Sequence, residues 1–325
     1  MRYVPTLEQL PANITKVETK VEDDFALTVI DGLSRAQKTL PCRFFYDARG
    51  SELFEDITRL PEYYPTRTEA AILRSRASEI VEGVSEGDLL VEFGSGSSLK
   101  TEILLDRVAA QVIYVPVDVS ESALADAVAR LAVRYPALEV RPVVADFSDI
   151  SVLPGDLAAR RSVGFFPGST IGNFAPRDAV KLLASFKKVL GAEGRLIIGV
   201  DLKKEPQTLI RAYDDSAGVT AAFNLNLLAR INRELGGTFE EAAFSHKAIY
   251  NPREGRIEMH LVSNRAQKVE VAGRVFHFRE GESIHTENSY KYAIAEFQKL
   301  AEKAGWTPKR VWTDPDNLFS VHELV

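Results

Sequence analysis

The sequence predicts an α/β protein whose core is a doubly wound parallel sheet, and three observations lead to this fold class. Short apolar runs that suit buried strands alternate with helical patterns through the middle of the chain. Residues 94–98 alternate glycine with serine directly after the first run, so the chain turns sharply between a strand and a helix. Polar residues follow the strand runs at their carboxyl ends, where ligands of such sheets bind.

Aromatic and amphipathic segments precede this core. The spacing of apolar residues predicts a helix over residues 24–39. Residues 43–54 are interpreted as an aromatic turn that opens a second helix, with Ser51 as its N-cap. Two prolines stiffen residues 60–66, and residues 68–81 have the pattern of an amphipathic helix that leads into the first strand.

Five strand runs and the helices between them build the predicted core. The apolar runs suit strands over residues 89–93, 112–117, 140–144, 162–166 and 195–200. The helical patterns cover residues 100–108, 122–134 and 177–190. Alternating strands and helices of this length imply a parallel sheet.

The pattern changes after residue 201. A helix over residues 220–235 precedes short alternating runs joined by hairpin turns, which predict antiparallel strands over residues 244–250, 256–262, 268–271, 274–278 and 283–289. The core resumes with a helix over residues 292–304 and a strand over residues 319–325. We therefore expect two domains. They are a cofactor-binding domain of residues 66–202 plus 291–325 and an inserted α+β substrate-binding domain of residues 15–65 plus 203–290.

Composition and charge narrow the function classes. The net charge of −6, with no run of Lys or Arg, argues against nucleic acid or an anionic membrane as a partner. Cys42 is the only cysteine, which excludes disulfide frameworks and thiolate metal sites. The five histidines lack metal-ligand spacing and are interpreted as strand-surface residues, so no metal is expected. The polar N-terminus carries no block typical of a signal peptide or membrane span, so we expect a cytoplasmic protein with no obligate protein partner.

The polar residues at the strand ends distinguish two cofactor classes. A dinucleotide site carries a third glycine for close helix packing, but Leu99 occupies that position, so a nicotinamide oxidoreductase is a poor alternative. Asp118 suits ribose hydroxyls, Asp146 suits the exocyclic amine of adenine, and Phe147 suits the face of the base. The amino-acid end of such a ligand is assigned to Gly94, Ser95, Gly96 and Lys100. This pattern resembles that of class I methyltransferases, Rossmann-like proteins that use S-adenosylmethionine as cofactor.

Seven segments together resemble one family, the histidine-specific N-α-methyltransferases of ergothioneine biosynthesis. The segments are FFYDARGSELFEDITRLPEYYPTRTEAAIL, VEFGSGSSLKT, PGSTIGNFAP, RAYDDSAGVTAAFN, RIEMHL, GESIHTENSYKY and VWTDP. They extend from about Arg43 to Asp314, which is most of the chain. The resemblance implies an enzyme that uses S-adenosylmethionine to convert L-histidine to its N-α-trimethyl betaine, hercynine.

The resemblance also implies roles for individual residues. Asn173 corresponds to the asparagine that holds the amine and carboxylate of the substrate, and Tyr213 to a tyrosine that binds the same carboxylate. Tyr63 corresponds to a pocket tyrosine and Tyr46 to one near the reacting amine. Asn173 and Tyr46 are therefore the candidate catalytic residues.

The resemblance assigns histidine specificity to three further residues. Glu287 and Ser289 correspond to the pair that grips the imidazole ring, and Met259 to a residue of the pocket wall. The sequence supports the polar pair independently, because residues two apart on a strand face the same way. Imidazole can donate from one nitrogen and accept at the other, which a carboxylate and a hydroxyl match.

Two other functions stay open at this point. One is the same N-α-methylation on another amino acid such as tryptophan, because specificity for histidine depends on few residues. The other is a binding protein that keeps the cofactor fold without turnover. The presence of Asn173, Tyr213 and Asp118 argues against the second.

Overall fold

The structure is a computed structural model, and it describes residues 15–16, 25–96, 98–108, 111–150 and 152–325. The predicted helix start at Asp24, Ser97 in the glycine turn and most of the polar N-terminal stretch lie outside the described residues. Within the described ranges, every helix is too short or too polar to traverse a lipid bilayer.

The described residues form nine α-helices and fifteen strands. The helices are α1 (Phe25–Ser34), α2 (Ala48–Arg59), α3 (Tyr64–Ile80), α4 (Leu99–Leu105), α5 (Glu121–Arg134), α6 (Pro176–Leu190), α7 (Pro206–Tyr213), α8 (Val219–Leu235) and α9 (Ile294–Lys303). The strands are β1 (Thr15–Lys16), β2 (Lys38–Thr39), β3 (Leu89–Phe93), β4 (Ile113–Asp118), β5 (Glu139–Val140), β6 (Val143–Val144), β7 (Ser162–Phe166), β8 (Arg195–Asp201), β9 (Phe244–Asn251), β10 (Arg256–Ser263), β11 (Gln267–Val271), β12 (Arg274–Phe278), β13 (Ser283–Tyr290), β14 (Pro308–Thr313) and β15 (Phe319–Leu324).

A nine-stranded sheet forms the core and confirms the predicted doubly wound fold. Its order is β1-β6-β4-β3-β7-β8-β15-β14, with β5 beside β4. The neighbouring strands β1, β6, β4, β3, β7 and β8 pair in parallel. Strands β15 and β14 then pair in antiparallel fashion at the edge of the sheet. Apolar side chains of α6 and α9 pack on one face, and those of α3 and α4 on the other. The carboxyl ends of β3, β4, β7 and β8 therefore share one edge.

A second sheet has the order β2-β13-β10-β9. Its three long strands are antiparallel, as predicted, whereas β2 pairs in parallel with β13. Apolar side chains of α1, α2, α7 and α8 share a separate core with this sheet. The division into a domain of residues 66–202 plus 291–325 and one of residues 15–65 plus 203–290 stays a prediction. The separate core supports it.

Two expectations for the N-terminal region are wrong. The helix predicted to reach Thr39 ends at Ser34, because residues 38–39 pair with β13 and the backbone N–H of Leu40 donates to the carbonyl of His285 at 3.0 Å. Ser51 lies inside α2 and is not its N-cap. The cap is Asp47, whose side chain accepts from the backbone N–H of Gly50 at 2.7 Å.

The strand predicted over residues 140–144 is interrupted. Pro142 lacks a backbone N–H and cannot donate to a neighbouring strand, so two short pieces, β5 and β6, flank it. The interpretation of the five histidines as strand-surface residues is also wrong for two of them. The side chain of His322 is fully buried, and that of His246 is 1% exposed. His322 forms a hydrogen bond with the hydroxyl of Ser320, and His246 forms one with the side-chain amide of Asn224.

Glu69 ties helix α3 to the loop after β7 and to helix α4, at the carboxyl edge of the core sheet. This carboxylate is fully buried and accepts from the backbone N–H of Gly168 at 2.9 and 3.0 Å and from the ammonium of Lys100. Gly199 makes room for it, because an added Cβ would lie 1.9 Å from Glu69 Oε1 and 3.1 Å from the ring of Phe319. The glycine on β8 thus sets the position of the loop after β7.

We predict that Gly199→Ala lowers the free energy of unfolding by about 1–3 kcal/mol, the usual cost of overpacking a core. Urea denaturation measures the loss. Because the clash is with the carboxylate, Gly199→Ala should cost little further stability in a Glu69→Ala background. Full additivity of the two substitutions would contradict this account.

Candidate active site

All seven residues predicted to bind or convert the substrate line one cavity between the two sheets. The cavity and its mouth contain about 520 Å³ of space that no protein atom fills, part of which is open to solvent. The rest of its wall comes from aromatic and aliphatic side chains and from residues 168–170 after β7. The predicted residues in the wall are Tyr46, Tyr63, Asn173, Tyr213, Met259, Glu287 and Ser289.

Backbone geometry holds the turn that carries Asn173. Ser169 adopts a left-handed φ of 56°, and its Oγ accepts from the backbone N–H of Asp201 at 2.9 Å. Gly172 lies against β13, where an added Cβ would be 2.8 Å from the carbonyl oxygen of Tyr290. Because only glycine permits this approach, the turn can lie beside β13. Asn173 thereby reaches the cavity that side chains of β13 also line.

Two tyrosines form one wall of the cavity. Tyr213 ends α7, and its backbone carbonyl accepts from Nε2 of His246 at 2.8 Å. The ring of Tyr63 meets it edge to face, with centroids 6.0 Å apart. Burial raises the pKa of Tyr63 and Tyr213 well above the usual value. Both are therefore neutral hydroxyls that can donate or accept.

A β-bulge in β13 aims the predicted ring-binding residues into the cavity. Met259 pairs with Glu287 and His260 pairs with His285, which leaves Thr286 as an extra residue. The hydroxyl of Thr286 donates to the carbonyl of Met259 at 3.1 Å. The bulge therefore turns Glu287 to the same face as Met259, while His285 stays on the outer face.

Glu287 is the one charged side chain among the described residues that line the cavity. Burial raises the pKa of its carboxyl group from 4.5 to about 7, and the charge of Lys291 opposes the shift. A carboxyl group that titrates near neutral pH is matched to an imidazole, whose pKa lies in the same range. The site can thus exchange a hydrogen bond with such a ring.

The sequence analysis missed a buried charged cluster behind this wall. Lys291 is fully buried, and its Nζ lies 2.6 Å from Asp201 Oδ2, 2.9 Å from the Tyr213 hydroxyl and 2.8 Å from Ser289 Oγ. Lys204 approaches the other carboxylate oxygen of Asp201 at 2.6 Å. The sequence contained a signal for this lysine. Lys291 lies two positions after Ser289, as Ser289 does after Glu287, and residues two apart on an extended chain face the same way.

The glycine turn after β3 and the end of β4 come together as predicted. Gly94 has a φ of 71°, and its N–H donates to the carbonyl of Val117 at 2.8 Å. The N–H of Gly96 donates to Asp118 Oδ2 at 2.9 Å. Ser95 Oγ is buried without a hydrogen-bond partner among the described residues. A buried hydroxyl of this kind fits a polar ligand.

Phe147 and Asp146 stand beside this turn. An added Cβ on Gly94 would lie 3.2 Å from the Phe147 ring, so glycine leaves room for the ring at the turn. Asp146 Oδ1 accepts from both the N–H and the hydroxyl of Ser148, at 2.8 and 2.6 Å. This carboxylate therefore shapes its own loop, and its Oδ2 keeps acceptor capacity for a ligand.

Lys100 lies between the glycine turn and the cavity. Its Nζ pairs with Glu69 and would be 3.6 Å from a Cβ on Gly168, a residue of the cavity wall. The cation, the orphaned hydroxyl of Ser95 and the aromatic face of Phe147 fit a ligand with an amino-acid end and an adenine end. The residues present thus suit an adenosylated amino acid.

Three potential metal ligands lie on the outer face of the second sheet, where no metal was expected. Ligand atoms of Glu258, His260 and His285 lie within 4.8 Å of one another. The imidazole rings are stacked, with an interplanar angle of 18°. Because ring lone pairs lie in the ring plane, stacked rings direct them side by side and not towards one point. Arg256 also binds Glu258 at 2.7 Å.

A family model described as "Histidine-specific methyltransferase, SAM-dependent" matches residues 25–325. The chain is 44% identical to a histidine N-α-methyltransferase of Mycolicibacterium smegmatis, over 89% of this chain and 91% of that protein. It is 41% identical to a histidine N-α-methyltransferase of Mycobacterium tuberculosis, over 90% and 92% of the two chains. It is also 30% identical to ergothioneine biosynthesis protein 1 of Neurospora crassa, over 88% of this chain and 33% of that protein.

We predict that Glu287→Gln stabilises the ligand-free protein, and more so at higher pH. The folded state raises the pKa of Glu287 from 4.5 to about 7. Stability is therefore lost as pH rises between these values, and the cost is full above them. The gain in free energy of unfolding should be about 1–3 kcal/mol near pH 8 and smaller near pH 5.

Thermal or urea unfolding at the two pH values measures this gain. Glu254→Gln, at an exposed position on the turn between β9 and β10, is the matched control and should give no such dependence. An equal gain from Glu287→Gln at both pH values would contradict the burial of its charge.

Proposed function

The chain belongs to the family of histidine-specific, S-adenosylmethionine-dependent methyltransferases, and from this premise we propose how it methylates the α-amine of L-histidine. The enzyme acts in ergothioneine biosynthesis. The observation that carries the proposal is the shared cavity, which Asn173 and Tyr213 line together with Glu287 and Ser289. Asn173 and Tyr213 suit the amino-acid end of the substrate, and Glu287 and Ser289 suit its ring.

The ring end of the site is matched to imidazole. Glu287 accepts from one ring nitrogen, and the hydroxyl of Ser289 donates to the other. Met259 is a buried residue of β10 that lines the cavity, and it limits the space for a larger ring. A ring without a nitrogen would leave Glu287 buried and unpaired, which disfavours amino acids such as phenylalanine, and the second ring nitrogen, which accepts from Ser289, distinguishes imidazole from indole.

The donor is assigned to the neighbouring edge of the core sheet. Asp118, Asp146 and Phe147 would hold the adenosine, and the turn at Gly94, Ser95 and Gly96 together with Lys100 would hold the amino-acid end. When bound, S-adenosylmethionine supplies an activated methyl group. The protein therefore need not generate a strong nucleophile.

The residues of the cavity position a neutral amine and exclude water. A hydrogen bond from the amine to Asn173 orients the lone pair of the amine. Tyr213 fixes the adjacent carboxylate, and the ring of Tyr63 packs against that of Tyr213. Orientation of this kind can supply about 7–11 kcal/mol of the barrier in favourable cases. Tyr46 lines the cavity and is 40% exposed, and burial of its hydroxyl raises its pKa well above the usual value, so the group is neutral. It can relay the departing proton by accepting it while its own proton passes to solvent.

Three successive transfers require that the amine head grow while the ring stays fixed. The fixed contacts at Glu287 and Ser289 lie on β13, whereas the amine end is bordered by the turn at Asn173 and by the aromatic side chains of Tyr46, Phe54 and Phe223. The faces of these aromatic rings tolerate added methyl groups, because a ring face attracts a trimethylammonium without the need for an N–H donor on it. The product is N-α-trimethyl-L-histidine.

Mass spectrometry of L-histidine incubated with the protein and S-adenosylmethionine tests the proposal. We expect a gain of three methyl groups on the α-nitrogen. In a competition with free tryptophan, histidine should be consumed first. A product methylated on another amino acid, or cofactor binding without turnover, would refute the assignment.

Glu287→Ala should weaken the use of histidine by about 1.5–3 kcal/mol in kcat/KM, the range for a hydrogen bond to a charged group. The KM for S-adenosylmethionine should stay unchanged, because Glu287 lines the cavity and not the glycine turn. Glu254→Ala serves as the exposed control. Histidine kinetics equal to those of the unsubstituted enzyme would rule out the role in ring binding.

A further inference from the structure

Lys291 is buried directly behind two hydroxyls of the cavity wall. Its side chain is 0% exposed and its Nζ lies over the ring of Tyr213, 4.6 Å from the centroid. An ammonium has three N–H donors and no acceptor. The three donors have three partners, namely Asp201 Oδ2 at 2.6 Å, the Tyr213 hydroxyl at 2.9 Å and Ser289 Oγ at 2.8 Å.

This arrangement fixes the direction of the two hydroxyls. Each oxygen accepts from Lys291, so neither hydroxyl can direct its hydrogen at the ammonium. The oxygens of Tyr213 and Ser289 lie 2.8 Å apart, and without a ligand one of them donates to the other. A ligand that offers two acceptors can take both hydrogens, because Lys291 continues to satisfy both oxygens.

The surrounding charges hold Lys291 in place. Asp201 accepts from Lys291 on one oxygen, from Lys204 on the other and from the Tyr64 hydroxyl at 2.8 Å. Burial lowers the pKa of Lys204 to about 8. The acidic groups that face the two lysines are Asp201, Glu287 from β13 and Asp314 beside Lys204.

The cavity wall itself carries no Lys or Arg among the described residues. If a substrate carboxylate accepts a hydrogen bond from the Tyr213 hydroxyl, only that hydroxyl separates it from the ammonium of Lys291. Electrostatic attraction in a buried site is weakly screened, so a cation in this place favours an anionic group at Tyr213.

We propose that Lys291 is a positioning residue that sets Tyr213 and Ser289 as donors to the carboxylate and ring of the substrate and supplies the cation that favours the carboxylate. This inference rests on the proposed function, because it takes histidine as the ligand. Lys291 touches neither substrate nor cofactor and acts only through the two hydroxyls.

The test compares L-histidine with L-histidinol, which carries a hydroxymethyl group in place of the carboxylate. Calorimetry with the full-length protein gives the dissociation constant of each ligand for the unsubstituted enzyme and for Lys291→Met. We expect the preference for histidine over histidinol to fall about 10- to 100-fold in the variant. The KM for S-adenosylmethionine should change less than the KM for histidine.

Two further variants guard against a general loss of structure. Lys203→Met removes a half-exposed lysine that pairs with Glu296, and it should leave the preference unchanged. Asp201→Asn combined with Lys291→Met removes the buried pair without a change in net charge, and it should lose the preference as Lys291→Met does. This double variant replaces the single one if the latter does not fold.

An unchanged preference, or equal weakening of both ligands, would overturn the role of Lys291. The proposed function fails separately, if the unsubstituted enzyme produces no methylated histidine. The two failures are therefore distinguishable.

Discussion

The carboxylate of Asp201 is the point at which the separate parts of the structure meet. It ends β8 of the core sheet, and it binds Tyr64 at the start of α3, Lys204 in the loop beyond β8 and Lys291 just after β13. Its own backbone N–H donates to Ser169, in the turn that leads to Asn173. One buried side chain thus relates the core sheet, the second sheet and the turn beside the cavity.

Such a cluster specifies geometry more than it adds stability. Taking Asp201 and two lysines out of water costs several kcal/mol per ion, and their attraction offsets this cost only when every donor and acceptor is paired. The nearby charges of Lys291 and Lys204 keep the pKa of Asp201 low despite its burial. An arrangement that pairs the groups less completely would be strongly disfavoured. The cluster therefore narrows the ways in which β13 can lie against β8.

Local patterns in the sequence could predict the strands and the turn of the sheet edge that is assigned to the cofactor, because these parts are close in the chain. The runs of apolar residues gave β3, β4, β7 and β8, and the glycines after β3 gave the turn that Asp118 closes. The bulge at Thr286 and the clearance at Gly199 escaped prediction, since each depends on atoms of another element. The interruption at Pro142 was predictable from the sequence, because a residue without a backbone N–H divides a strand such as the one predicted over residues 140–144.

The residues assigned to the substrate are brought together in a different way from those assigned to the cofactor. The residues assigned to the donor lie between positions 94 and 147, whereas those assigned to the substrate are spread from Tyr46 to Ser289. The former are fixed by the edge of one sheet, and the latter meet only when the second sheet docks through the cluster at Asp201 and Lys291. Substitutions on β10 and β13 can thus reshape the part of the cavity that is assigned to the ring, while the sheet edge that is assigned to the donor keeps its contacts. The cavity is in this sense a property of the junction between the two sheets, because neither sheet alone contributes a complete wall.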